Sequence, residues 1–149
     1  MGVTPIRKAR KEDLARIAEI MIFNYRLYFY PIFRYDPFYF EELQVPAVME
    51  WFSQCLDSIR VYDDGVVKGF VHVEGREIKK LFVEPVLHGR SIGAQLLEHA
   101  VAHHDANTLW ALEKNVRAIA FYQRHGFRLT NDRKPEEDTD EYLVRLERV

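Results

Sequence analysis

The sequence predicts a mixed α/β fold (α+β), in which a mostly antiparallel, twisted sheet of six to seven strands is flanked by about four to five helices. Helically spaced apolar residues occur in separate segments near both ends of the chain. Between them, residues 59–85 alternate apolar and polar side chains, as strands do. A strand, helix, strand order follows, which implies one locally parallel pair. With 149 residues, 48% hydrophobic and 30% charged, we expect a single domain, residues 1–149, with its own core.

Composition and charge disfavour several classes of protein. The formal net charge is -2 at pH 7, so no overall positive field attracts nucleic acid or an anionic membrane. The single cysteine, Cys55, excludes an intramolecular disulfide and fits a reducing compartment, and we expect its thiol to be buried. The N-terminal residues lack the apolar core of a signal peptide, and no apolar run approaches about 20 residues. We therefore expect a cytoplasmic protein that binds neither nucleic acid nor a membrane.

The first third of the chain is predicted to be helical after a short strand near Ile6. Residues 14–21 carry apolar side chains at helical spacing. The next segment, residues 23–40, is dense in Phe and Tyr and contains two prolines that interrupt a helix. It is either core beneath a broken helix or the aromatic wall of a pocket. A second helix is expected from about Pro46 to Leu56.

The middle of the chain is predicted to form a meander of three antiparallel strands. Residues 59–85 contain the dipeptides Asp-Gly at 64–65 and Glu-Gly at 74–75, which favour tight turns. Pro85 ends the third strand, and helical spacing of apolar residues returns from Ser91.

The last third is predicted to contain a strand, a helix and a hairpin. The strand is TLWALE, residues 108–113, and the helix runs from Val116 to His125 and stops at Gly126. FRLT (127–130) and EYLVRLE (141–147) form the hairpin, joined by the polar loop 131–140.

The segment LHGRSIGAQLL, residues 87–97, is predicted to bind an anion. A helix N-terminus offers free N–H groups and the positive end of the helix dipole. Gly89 and Gly93 allow a ligand to approach the backbone, and Arg90 can add a charge-assisted contact. A Walker loop requires Lys followed by Ser or Thr, and a dinucleotide fingerprint requires glycine at positions 91 and 94. The segment therefore matches neither common nucleotide-binding motif.

Two blocks of sequence resemble the GNAT superfamily of N-acetyltransferases. LFVEPVLHGRSIGAQLL, residues 81–97, is similar to the family's Gln/Arg-x-x-Gly-x-Gly/Ala loop, with His88 in place of Gln/Arg and Ser91 in place of the first Gly. LEKNVRAIAFYQRHGF, residues 112–127, retains every fixed letter of the family's Asn-x-x-Ala-x-x-Phe-Tyr-x-x-x-Gly-Phe segment. The resemblance covers nearly the whole chain and is strongest over residues 77–127. It implies a GNAT-like fold and acetyl-coenzyme A (acetyl-CoA) as cosubstrate, without a metal.

The resemblance also implies which residues bind the cofactor, with the loop holding its pyrophosphate and the main chain of Phe82 and Val83 pairing with the pantetheine arm. The implied residues are Leu81, Phe82, Val83, His88, Gly89, Arg90, Ser91, Ile92, Gly93, Ala94, Asn115, Ala118, Phe121 and Tyr122.

The two departures from the loop pattern lead to separate hypotheses. His88 can donate a hydrogen bond like Gln and is cationic only when protonated, so cofactor affinity is expected to weaken as pH rises through its titration. A left-handed backbone at Ser91 would cost about 1–2 kcal/mol relative to Gly. Alternatively, the Ser91 hydroxyl caps the helix and does not contact phosphate.

Two catalytic residues follow from the resemblance. Tyr122 would donate a proton to the departing thiolate, although it could instead be a core aromatic residue. Glu77 resembles the general base of some members, and the alternative is an exposed strand residue beside Lys79 and Lys80. Other members use water chains in place of a carboxylate base.

The implied activity is transfer of an acetyl group from acetyl-CoA to a primary amine of a small molecule or a peptide. The alternative is a non-catalytic acyl-CoA binding module of the same fold. The acidic loop PEEDTDE, residues 135–141, is either a solvated turn or an attraction for a cationic amine. We expect no metal at His103, His104 and Asp105, because adjacent residues point to different sides of a helix. A homodimer is expected only from the habit of the family.

Overall fold

The computed structural model describes residues 5–149, so part of the N-terminal segment used in the signal-peptide interpretation, residues 1–4, lies outside the described residues. In this described part of the chain, seven strands form one sheet in the order β1-β2-β3-β4-β5-β7-β6. The strands are β1 (Ile6–Lys8), β2 (Ile59–Asp63), β3 (Val67–Glu74), β4 (Glu77–Val83), β5 (Thr108–Leu112), β6 (Phe127–Pro135) and β7 (Tyr142–Arg148). Only the β4–β5 pair is parallel within this sheet. The predicted mixed, mostly antiparallel sheet is confirmed.

Within residues 5–149, five α-helices flank the sheet, in agreement with the predicted four to five. They are α1 (Leu14–Asn24), α2 (Tyr30–Phe33), α3 (Val45–Ser53), α4 (Ile92–His104) and α5 (Val116–Arg124). A π-helical turn, Tyr25–Phe29, joins α1 to α2 without a break, so the chain stays helical through Pro31 as far as Phe33 and the prediction that Pro31 interrupts the helix was wrong. The π-helical turn just before Pro31 changes the hydrogen-bond ladder that its ring would otherwise disrupt. A second π-helical turn, Pro37–Glu42, follows after the break at Arg34. Among residues 5–149, no helix combines the length and apolar character that crossing a bilayer requires.

Helices cover both faces of the sheet, so β3 is buried on both sides. Phe70 packs in the cluster formed with α1 and α3, whereas its neighbour Val71 packs in the cluster formed with α4. The approach of α4 is close at Gly69, where an added Cβ would lie 3.1 Å from Leu96 Cδ1 and 3.1 Å from Phe82 O. A larger residue at Gly69 would therefore push α4 away from the sheet.

The parallel strands β4 and β5 stay together for only two residue pairs. Glu77 lies opposite Thr108 and Ile78 lies opposite Leu109, and no further pairs follow between them. On the other side of β4, the register with β3 shifts so that Lys79 is the extra residue of a bulge. A bulge bends its strand and increases the local twist. β5, in contrast, continues in register with β7 over five residue pairs. β4 therefore turns away from β5, and a wedge-shaped gap opens between these two strands.

Two predicted boundaries were wrong. The helix expected to reach Leu56 ends at Ser53, and Leu56 lies in a separate 3-10 turn. The first half of the predicted loop 131–140 is strand, because β6 extends to Pro135 through a register shift between Leu129 and Arg133. β6 is an edge strand, where polar side chains face solvent on both sides, so its residues lack the alternation used to predict strands.

Candidate active site

Two cavities meet at the gap between β4 and β5. The larger has a volume of about 980 Å³ and the smaller a volume of about 340 Å³. The residues that line both of them are Phe29, Leu81, Phe82, Asn115, Ala118 and Tyr122. Groups in the two cavities can therefore meet at this shared wall, as a donor and an acceptor must in a direct transfer.

The smaller cavity collects the two sequence blocks that are similar to the GNAT motifs. Of the predicted cofactor residues, all except Arg90 line it, namely Leu81, Phe82, Val83, His88, Gly89, Ser91, Ile92, Gly93, Ala94, Asn115, Ala118, Phe121 and Tyr122. Its lining also includes Asn24, Tyr28, Arg117, Arg124 and His125, which motif comparison did not identify. Arg117 lies within the second block, at a position that the family pattern leaves free.

The loop before α4 offers main-chain donors to an anion. In the described part of the chain, the amides from Gly89 to Ala94 have no acceptor within the protein, and the first amide that has one is Gln95 N, 3.0 Å from Ser91 O. Gly89 and Ser91 have φ of 89° and 65°, in the left-handed region. The Ser91 side chain makes no capping hydrogen bond, so the capping interpretation of its hydroxyl was wrong. Free amides at a helix N-terminus suit a pyrophosphate.

His88 is tied into the protein through both ring nitrogens. Its Nε2 lies 3.1 Å from Val83 O and therefore carries the proton, whereas Nδ1 accepts from Tyr28 OH at 2.9 Å and from Arg117. Burial, reinforced by the positive charge of Arg117, lowers the pKa of His88 below its usual value. His88 is thus neutral near pH 7. His88 therefore does not replace Arg as a cationic phosphate ligand near neutral pH, and the pH dependence predicted from its titration stays a prediction for lower pH.

The carbonyl of Val83 at the end of β4 is already occupied. Besides His88, it accepts from Asn24 Nδ2 at 2.9 Å, and the same amide donates to Ile20 O at 2.8 Å. Asn24 is buried at 2% exposure, so this contact is shielded from water. Of the main-chain groups predicted to pair with pantetheine, the oxygen of Val83 is therefore not available in this structure.

Tyr122 lies on α5 and is buried in the wall that the two cavities share. Burial raises its pKa, so the phenol keeps its proton at neutral pH. Asn115 precedes α5, and its Oδ1 accepts from Ala118 N at 3.3 Å, which caps the helix that carries Tyr122. The position suits both interpretations of Tyr122: it packs against Phe127 with ring centroids 5.7 Å apart, and it also faces the site.

Glu77 lies away from the predicted chemistry. It is at the closed end of the gap, where β4 and β5 are still paired, and it does not line either cavity. Its Oε2 lies 3.4 Å from Lys79 Nζ. These surroundings fit the alternative interpretation, an exposed strand residue beside lysines, better than they fit a general base.

The larger cavity has an aromatic wall and an acidic rim. The aromatic residues come from the segment 23–40, namely Tyr25, Phe29, Phe33, Tyr35, Phe38 and Tyr39. The rim comes from Glu42 and the turn between β6 and β7, namely Glu136, Glu137, Asp138, Asp140 and Glu141. The aromatic segment 23–40 is thus both part of the core and a wall of the cavity. The acidic loop borders the same cavity, as the interpretation that it attracts a cationic amine requires. Such a rim attracts a cation.

Other candidates lie outside both cavities. Cys55 is half-buried, not fully buried as expected, and burial raises the pKa of its thiol. Within residues 5–149, no group of three or more His, Cys, Asp or Glu side chains could hold a metal ion.

Comparison with known proteins finds similarity to acetyltransferases. A family model described as an acetyltransferase (GNAT) domain matches residues 57–129. Peptidyl-lysine N-acetyltransferase YiaC of Escherichia coli is 28% identical over 127 residues, covering 85% of this chain and 84% of YiaC. Peptidyl-lysine N-acetyltransferase YjaB of Salmonella typhimurium is 33% identical over 72 residues, 48% of this chain, and this match spans 50% of the length of YjaB.

Solved structures agree in fold. The solution structure of apo-form YjaB from Escherichia coli has a TM-score of 0.75 at 23% identity and covers 99% of both chains. The crystal structure of PaiA N-acetyltransferase from Thermoplasma acidophilum in complex with coenzyme A has a TM-score of 0.69 at 19% identity, covering 94% of this chain and 96% of PaiA. Together with the family model and YiaC, these structures support a GNAT superfamily acetyltransferase.

Proposed function

We propose that the protein transfers an acetyl group directly from acetyl-CoA to a primary amine, with the cosubstrate in the smaller cavity and the acceptor in the larger. The observation that carries the proposal is the position of Tyr122 in the wall common to both cavities. The free amides of residues 89–94 support a pyrophosphate at the smaller cavity, and coenzyme A is the ligand in the PaiA complex.

The reaction requires a C–N bond to form at the thioester carbonyl carbon while the C–S bond breaks. Tyr122 starts the reaction as a protonated phenol, since burial raises its pKa. It supplies that proton to the departing sulfur, and the tyrosinate takes up a proton from solvent after coenzyme A leaves. The ammonium group of the acceptor loses one proton before it attacks as a neutral amine. The same nitrogen loses a second proton as the amide forms. Because Glu77 does not line the cavities, we assign that proton to water in the larger cavity, whose rim carboxylates keep it hydrated.

For the acceptor, we propose a lysine side chain of a peptide or protein ahead of a small free amine. The support is twofold: YiaC and YjaB are both described as peptidyl-lysine acetyltransferases, and the larger cavity combines aromatic surface with carboxylates. Aromatic faces pack against the methylene chain of lysine, and the acidic rim concentrates its cation at the entrance. We further propose that residues 1–149 act as one domain, since a single sheet runs through the chain.

The test is thiol release from acetyl-CoA with lysine peptides, polyamines, aminoglycosides and amino acids as acceptors. Tyr122→Phe is expected to lower kcat by about 10²-fold, the general-acid range, while calorimetric binding of coenzyme A changes little. Tyr142→Phe is the matched control, since Tyr142 is exposed and does not line either cavity.

Unchanged turnover in Tyr122→Phe would remove Tyr122 from the mechanism. Binding of coenzyme A without thiol release from any acceptor would favour the alternative, a non-catalytic acyl-CoA binding module. The relative kcat/KM of peptides and small amines decides between the two acceptor classes.

A further inference from the structure

A cation that lies outside the loop motif reaches the smaller cavity. Arg117 is on the first turn of α5, and its Nη2 donates to His88 Nδ1. Its Cζ lies 4.6 Å from the centroid of the Tyr28 ring, which is within cation–π range. Tyr28 in turn stacks on His88, with centroids 5.6 Å apart and planes 15° from parallel. Two side chains, Tyr28 and His88, thus fix the guanidinium of Arg117 at the cavity.

The positive charge in this group belongs to Arg117. The proton on His88 Nε2 faces Val83 O, which leaves Nδ1 as an acceptor and the imidazole neutral. Arg90, the cation of the loop itself, does not line the cavity, whereas Arg117 does. In the described part of the chain, Arg117 forms no ion pair with a carboxylate, so its charge is not neutralised within the protein.

The remaining donors of Arg117 are suited to an oxyanion. A guanidinium has five N–H donors in a planar fork, and one of them is used by His88. The same cavity is lined by Gly89 and by residues 91–94, whose amides have no acceptor within the described part of the protein. An anion held by those amides would add a charge-assisted contact if it also met the fork.

We propose that Arg117, positioned by Tyr28 and His88, binds the pyrophosphate of the cofactor and supplies the side-chain contact that the family's Gln/Arg letter implies at position 88. His88 is a positioning residue, because it orders Arg117 and contacts the end of β4 without contacting phosphate. This inference rests on the proposed function, since it assumes that coenzyme A occupies the smaller cavity.

The experiment measures binding of coenzyme A and of dephospho-coenzyme A, which lacks the 3′-phosphate, by calorimetry without any acceptor. Arg117→Gln is expected to weaken both ligands equally, by about 10-fold or more, the range of a lost charge-assisted hydrogen bond. Arg128→Gln, which changes the same charge at an exposed site outside both cavities, is expected to leave both affinities unchanged. Thermal unfolding of each variant without ligand controls for folding.

The positioning role has its own variants. His88→Gln can accept from Arg117 and donate to Val83 O at the same time, so it is expected to retain affinity. His88→Leu can do neither, and is expected to weaken coenzyme A by a similar factor to Arg117→Gln. Adding His88→Leu to Arg117→Gln should cause little further loss of affinity for coenzyme A, because both changes remove the same interaction.

The outcomes separate this inference from the proposed function. If the unchanged protein does not bind coenzyme A, the proposed function fails. If it binds and Arg117→Gln binds equally well, only the assignment of Arg117 is overturned. A loss confined to coenzyme A, with dephospho-coenzyme A unaffected, would assign Arg117 to the 3′-phosphate and overturn the pyrophosphate contact. Additive losses in the double variant would overturn the positioning role of His88.

Discussion

Replacing Ser91 by Gly is expected to stabilise the protein. Ser91 has φ 65° and ψ 8°, a left-handed conformation that costs a residue with a side chain about 1–2 kcal/mol. Glycine avoids this cost but loses about 0.5–1 kcal/mol through the greater freedom of the unfolded chain. The Ser91 hydroxyl caps nothing, so no hydrogen bond is lost. The net gain is therefore about 0.5–1 kcal/mol, or a Tm increase of roughly 1–4 °C for a domain of this size.

Calorimetric thermal unfolding and urea denaturation, both without ligand, measure this gain. Ser91→Ala is the matched control: it removes the hydroxyl but keeps the left-handed strain, and is expected to change stability by less than about 0.5 kcal/mol. Gly89→Ala, at φ 89° with no neighbour within 4 Å of an added Cβ, is expected to cost about 1–2 kcal/mol from strain alone. The reasoning is refuted if Ser91→Gly destabilises the protein while Ser91→Ala is equally destabilising, because the hydroxyl would then be a stabilising cap.

Two further predictions concern acid groups and pH. Glu77→Gln is expected to change kcat by less than about 2-fold, because the Glu77 carboxylate lies outside both cavities and pairs with Lys79. Steady-state turnover measures this effect. A loss of about 10²-fold, the range of general acid–base catalysis, would restore Glu77 as the base. Burial, with His103 and His104 adding positive charge, lowers the pKa of His99 to about 4. The unfolded chain therefore takes up this proton first, and the stabilisation present above about pH 6.5 is lost as pH falls towards 4. In urea denaturation at pH 7 and pH 5, His99→Gln should lose less stability than the unchanged protein, by on the order of 1 kcal/mol after allowance for its solvent exposure; identical losses would contradict this.

Much of the fold followed from local periodicity. The meander β2–β3–β4, the helix α4 and the parallel crossover to β5 were all predicted, because each depends on apolar spacing and turn residues within about ten positions. The length of β6 was missed, since an edge strand does not need a buried face. The conformation of Ser91 was left open, because the same residue type serves as an N-cap and as a strained substitute for glycine.

The candidate site was likewise predicted where it depends on local motifs and missed where it depends on distant contacts. The cofactor residues predicted within 81–94 and 115–122 were identified because they belong to continuous motifs, and all of them except Arg90 line the smaller cavity. Asn24 and Tyr28 were missed, since their contacts with Val83 and His88 span 59 and 60 positions of sequence. No periodicity or motif encodes which helix residue meets a strand end at that separation.

The sequence by itself determined the order of the elements, the superfamily and the two blocks that supply the loop and Tyr122, because these depend on local side-chain patterns. The tertiary structure alone decided how those blocks form a site. The bulge at Lys79 turns β4 away from β5 while β5 continues along β7, and this divergence opens the gap. It also decided the role of His88, whose neutral state follows from the partners that Val83, Tyr28 and Arg117 provide in space.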